Sequence, residues 1–137
     1  MNDYDLIAES IEILGAKSDQ LSVSIFEKMI NLSPSARSAI TSSSMTEDYS
    51  IQLEYMLTKA IELIMEFSEE SPDRFISLQH HINFHENRGI SLDHYIVYFD
   101  CIIQEMTIML GDNFGVESRK AWQRQTSSII SYLSKSI

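Results

Sequence analysis

A chain of 137 residues with ten basic and twenty acidic side chains, formal charge −10, has the length of one domain and the wrong sign for nucleic acid or an anionic membrane surface. Hydrophobic residues at 44% are enough for one sizeable core, since at this length roughly two-thirds of the unfolded surface can be buried. The single cysteine, Cys101, excludes an internal disulfide and a cysteine cluster for zinc or iron–sulfur, and fits a reducing cytoplasm.

The start, MNDYDLIAES, lacks the basic residues and apolar core of a signal peptide. No apolar run approaches the roughly 20 residues needed to cross a bilayer. Four glycines and two prolines favour long helices over a turn-rich β fold. Both prolines follow serine, at Ser33-Pro34 and Ser71-Pro72. Serine at an N-cap with proline at the first helical position marks a helix start.

A first helix is predicted over about 3–14, with Leu6, Ile7, Ile11 and Leu14 inward and Gly15 at its end. A second begins after Ser18 and carries a stripe of Leu21, Ile25, Phe26, Met29 and Ile30. A short third helix follows Ser33-Pro34 to about Ile40, and residues 41–47 form a polar connection. A fourth runs over about 47–67, with Leu53, Leu57, Ala60, Ile61 and Ile64 at offsets 0, 4, 7, 8 and 11 on one face.

The next helix, about 72–86, places Phe75, Leu78, Ile82 and His85 at offsets 0, 3, 7 and 10, so a histidine lies in line with three apolar side chains. It should stop near Asn87-Arg88-Gly89, where glycine can take the left-handed C-terminal conformation. Ser91 caps a helix to about Leu110 with Tyr95, Phe99, Ile102, Met106 and Leu110 inward. A turn over 111–115 leads to a last helix with Trp122, Ile129, Ile130 and Leu133. The expectation is one all-α domain over residues 1–137, of about seven helices; periodicity leaves a globin-like arrangement and a simpler bundle both open.

Several spacings together resemble the bacterial globins, meaning the haem domain of flavohaemoglobins and the single-domain bacterial haemoglobins. The strongest is His85-x-x-x-x-Ile90-x-x-x-His94-Tyr95. Others are Leu57-x-x-Ala60-Ile61, Phe26-x-x-Met29-x-x-x-x-Pro34 and Ala121-Trp122. The resemblance covers nearly the whole chain, with about three extra residues after the short third helix. It implies a globin-like fold, haem b as cofactor and His85 as the proximal iron ligand. It also implies a haem pocket drawn from Phe26, Ile40, Leu53, Leu57, Leu78, Ile90, His94, Tyr95 and Phe99. His94 is open between a haem-propionate contact and a place at a helix start.

The departures bear on function. Where the family carries a distal tyrosine this chain has Phe26, and where it carries a distal glutamine this chain has Leu53. No phenylalanine occurs between Phe26 and Phe67, so Ile40 takes the place of the one that packs on haem. Residues 123–137 contain no Asp or Glu to bond the proximal histidine, which leaves a backbone carbonyl or the Tyr95 hydroxyl to orient it. No reductase domain is expected in this chain.

An apolar distal side of Phe26, Ile40, Leu53 and Leu57 offers no hydrogen bond to an oxygen ligand. One such bond is worth about 1 to 3 kcal/mol, roughly tenfold to a hundredfold in affinity. Tyr49, Ser50 and Tyr55 are the residues that could swing in. The resemblance thus implies binding of a diatomic gas, O2, NO or CO, for sensing or carriage, with an output domain or protein partner to receive the signal and a homodimer as one assembly. An NO dioxygenase and a haem-free globin-fold interaction module are the competing readings. A two-histidine metal site of His81 and His85 lacks an evident third ligand, and His80 is expected to face solvent.

Overall fold

The computed structural model describes residues 1–42, 50–85 and 88–136. The regular elements are helices: α1 (Asp3–Leu14), α2 (Ser18–Leu32), α3 (Pro34–Ser42), α4 (Ser50–Ser68), α5 (Arg74–His85), α6 (Leu92–Leu110) and α7 (Val116–Ser136). Short 3-10 turns at Gly15–Lys17 and Gly111–Asn113 join α1 to α2 and lead from α6 toward α7. No strand occurs among the described residues. None of the helices is long and apolar enough to cross a membrane.

The helix starts follow from local chemistry. The Asn2 side chain accepts the Asp5 N–H at 2.8 Å, and Asp3 and Asp5 sit where the helix dipole favours negative charge. Pro34 opens α3 as its missing N–H allows. The second Ser-Pro pair behaves differently. The Ser71 carbonyl accepts the Arg74 N–H at 3.1 Å and its hydroxyl accepts the Asp73 N–H at 3.2 Å. These bonds make a turn of residues 71–73, and α5 begins at Arg74 rather than at Pro72. The connection at 43–49 and the predicted helix end at 86–87 lie outside the described residues.

The core is formed where α2 crosses α6, α1 lies on α7, and α4 packs on both α2 and α7. Ile7, Leu21, Ile25, Ile64, Ile102, Met106, Trp122, Ile129 and Leu133 are almost wholly shielded there. Each buried side chain of this size contributes about 1.5 to 3 kcal/mol by leaving water. Two ionic ties add register at the surface. Arg124 donates to both Asp3 oxygens, at 2.6 and 3.1 Å, and Gln125 adds a bond at 2.9 Å, so α7 is held to α1. Lys28 of α2 lies 3.7 Å from Glu105 of α6.

Helix α5 stands apart from this packing. Its main neighbour is α4, and Leu78 is its one fully buried residue. Phe75, predicted on its inward stripe, is 42% exposed. Its ring instead meets the edges of Phe67 at 6.1 Å and Tyr132 at 4.9 Å, under the Arg74 guanidinium at 4.4 Å. A helix that touches the core through so few side chains leaves space behind it, and that space is the cavity described next.

Candidate functional site

His85 is the last residue of α5 and Tyr95 lies in the first turn of α6. Between them Gly89 takes φ +71°, a left-handed conformation that favours glycine, and lets the chain reverse. The reversal brings His85 Nδ1 to 2.5 Å from the Tyr95 hydroxyl. Nε2 has no hydrogen-bond partner among the described residues. Burial, then the neighbouring His81 and Arg88, push the His85 pKa down from 6.5 to about 4. Burial also raises the Tyr95 phenol to about 12. At neutral pH the pair is therefore a neutral imidazole against a protonated phenol. With its proton on Nδ1 the ring donates to Tyr95 and keeps a lone pair on Nε2, the arrangement a metal-ligating histidine requires.

His94 is committed to structure on both nitrogens. Nδ1 accepts the Ser91 N–H at 3.1 Å while the Ser91 hydroxyl accepts the His94 N–H at 3.3 Å, a capping box that starts α6. With Nδ1 accepting, Nε2 carries the proton and donates to the Ser35 hydroxyl at 2.8 Å. The side chain, 7% exposed, thereby ties α3 to α6. Of the two roles left open for His94 by the sequence, the helix-start role is the one the geometry occupies.

A cavity of about 460 Å³ lies between α4, α5 and α6 and reaches α2 and α3. This is within the size range of small-molecule and cofactor sites. Six of the sequence-derived residues line it: Ile40, His85, Ile90, His94, Tyr95 and Phe99. Phe26, Leu53, Leu57 and Leu78 do not. Leu53 and Leu57 are buried in the core, Leu78 is buried on α5, and Phe26 is half-buried against the core. In their place α4 presents Tyr55, Met56, Lys59, Ala60 and Leu63, and α2 presents Met29. Tyr55 lines the cavity mouth at 56% exposure, while Tyr49 lies outside the described residues.

The reason is geometric. Lys59 and Leu63 stand roughly 80 to 120° round α4 from Leu53, at about 100° per residue. The cleanest apolar stripe of α4 faces the helices of the core; the adjacent mixed face lines the cavity. That second face had its own signal, Met56, Ala60 and Leu63 at offsets 0, 4 and 7. Tyr98, a further lining residue absent from the sequence-derived set, is half-buried against the core, and desolvation lifts its phenol far above its ordinary value.

The chain matches no family model, and the curated proteins give no match. The site has to be read from its own chemistry.

One wall, from α2, α3 and the nearer face of α4, is apolar: Met29, Ala36, Ala39, Ile40, Met56 and Ala60. The opposite wall carries His80, His81 and His85 of α5; Lys59 and the exposed Glu62 also line the cavity, as does Glu66, whose Oε2 is buried with no hydrogen-bond partner among the described residues. His80 is exposed. The His81 ring lies 6.3 Å from that of His85, and burial lowers its pKa. Among the described residues no group of three or more His, Cys, Asp or Glu could hold a metal ion. A bare ion therefore has no cage here. A metal that brings its own equatorial donors needs only a single neutral nitrogen from the protein, and the neutral imidazole of His85 lines this cavity. The donor set and the cavity fit haem in this respect.

Proposed function

We propose that this chain is a globin-like haem protein that binds a diatomic gas, for sensing or gas carriage, with His85 as the axial iron ligand. The observation that carries the reading is the His85–Tyr95 pair: a neutral imidazole at the edge of a cavity, held at 2.5 Å through Nδ1 and, among the described residues, unpartnered at Nε2. The packing of α2 on α6, α1 on α7 and α4 on α2, with α5 set off by a cavity, supports the globin-like arrangement. Haem, when bound, supplies an iron centre for O2, NO or CO.

The protein's part is to position and to exclude. Tyr95 orients the imidazole through a neutral hydroxyl rather than a carboxylate. A ring so held stays less anionic, which favours reversible ligand binding over peroxidase-like bond cleavage. Met29, Ala36, Ala39 and Ile40 exclude water from the far wall and offer no hydrogen-bond donor from their side chains. A pocket of this kind discriminates little against CO and NO.

A haem-free interaction module is the second reading, and one feature favours it. Glu62 and Glu66 line the cavity, Glu66 with a buried and unpartnered Oε2 among the described residues, and the lining cation Lys59 is engaged by Glu62 at 3.2 Å. Carboxylates in the lining oppose the two propionates of haem. The deciding experiment is an absorption spectrum of the purified chain, alone and titrated with haemin, beside His85→Ala. A sharp Soret band that shifts with CO and is altered in the variant supports the haem protein. No saturable signal in the wild type rejects it.

A further inference from the structure

This inference rests on the haem reading and extends it to the other face of the iron. The link between α4 and α5 is a turn of five residues, 69–73, and a connection so short makes the two helices antiparallel neighbours. Contacts along the hairpin give its register. The Phe67 ring meets Phe75 at 6.1 Å near the turn. Further out, His81 lies beside Lys59 and Glu62. His85 is eleven positions beyond Arg74, and eleven positions before Ser68 is Leu57. Both helices rise by about 1.5 Å per residue, so His85 sits level with residues 56 and 57 of α4. Leu57 points into the core, while Met56 lines the cavity.

We propose that the Met56 thioether is the sixth iron ligand of this protein, facing His85 across the cavity and yielding its place to an incoming gas. The other lining residues of that wall are poor competitors: Tyr55 is 56% exposed, with the Lys59 ammonium over its ring at 5.4 Å. Ala36, Ala39, Ile40, Ala60 and Leu63 have no donor in their side chains. The Lys59 ammonium has no lone pair. Glu66 lies ten positions along α4, about 15 Å from the level of Met56. Met29 is the remaining sulfur, but it is on α2, 4% exposed and held in the core, whereas Met56 is half-buried. Ala36, Ala39 and Ala60 line the same cavity with small side chains, which leaves room for a flexible side chain with three rotatable bonds to reach inward. Thioether with imidazole is an established ligand pair for haem iron and raises its reduction potential.

The test uses the full chain reconstituted with haemin, as wild type, Met56→Leu, Met29→Leu and His85→Ala. Wild type is expected to be six-coordinate and low-spin in the ferric state, with the near-infrared charge-transfer band of sulfur bound to iron. Met56→Leu conserves volume and should lose that band, become high-spin and lower the reduction potential; Met29→Leu should keep all three. In the ferrous wild type the CO association rate should level off at high CO, because the thioether must leave first. In Met56→Leu it should rise linearly, with an apparent affinity about tenfold higher where the open form is about a tenth of the wild-type population. The proposal is overturned if haem binds through His85 and the band is absent, survives Met56→Leu, or disappears in Met29→Leu; the haem reading would stand in each case. A wild type that takes up no haem overturns both. Should Met56→Leu fold poorly, the sulfur-to-iron band of the wild type together with its retention in Met29→Leu decides the matter independently.

Discussion

Acid should destabilise the protein through His85 in particular, and the size of the effect can be worked from its surroundings. Burial holds the imidazole neutral in the fold, with its pKa pushed down from 6.5 to about 4. In the unfolded chain the same ring protonates below about pH 6.5. The unfolded state therefore binds more protons between these values, so stability falls as pH drops from 6.5 to 4 and is independent of this group above 6.5. At about 1.36 kcal/mol per pH unit the upper bound is about 3.4 kcal/mol. The ring is partly exposed, and solvent screening reduces this to about 2 kcal/mol. His85→Gln keeps a polar partner for Tyr95 and removes the titration. Urea unfolding followed by circular dichroism at pH 7.5, 5.5 and 4.5, without haem, should show the wild type losing about 2 kcal/mol more than the variant between the extremes. Carboxylates and His81 titrate in both proteins and cancel in the comparison. Parallel pH dependence in the two would refute the reasoning and remove the case for a neutral, available Nε2.

Three further outcomes are expected. Tyr95→Phe removes the hydroxyl at His85 Nδ1, and should cost about 1 kcal/mol in stability and weaken haemin binding by about fivefold in a spectral titration. Ser35→Ala cuts the bond that joins α3 to His94 of α6, leaves the buried Nε2–H unpaired and should cost about 1 to 3 kcal/mol in urea unfolding, while the Soret band, if present, keeps its position. Trp122 is fully buried and its ring nitrogen has no partner among the described residues, so Trp122→Ala should cost about 3 to 5 kcal/mol, whereas Trp122→Phe should cost less than about 2 kcal/mol because it also removes an unsatisfied donor.

Much of the local structure was legible in the residues themselves. The predicted spans of α1 and α6 agree with the helices found, because Asn2, Ser91, Gly15 and Gly111 act within one turn of where they stand. Pro34 opens α3, but Ser71-Pro72 forms a turn instead of a helix start, since its serine bonds are taken by Asp73 and Arg74. His85 and Tyr95 stood out by spacing, and chain reversal at Gly89 needs no distant contact. Phe75 leaves its expected inward stripe because an aromatic ring can be satisfied by other ring edges and a guanidinium while half outside the core.

The lining of the cavity was beyond local rules. The residues of α4 alone predict an amphipathic helix whose cleanest stripe is Leu53, Leu57, Ala60, Ile61 and Ile64; four of these are buried, and Ile61 is half-buried against the core. Whether a buried stripe meets other helices or a ligand space depends on what stands opposite, and nothing within α4 encodes that. The packing of the helices settles it, by pairing α4 with α2 and α7 on one face and setting α5 against the next face. The hairpin register then placed Met56, not Leu53, level with His85, because that register depends on the length of the turn between two helices and not on the apolar pattern of either.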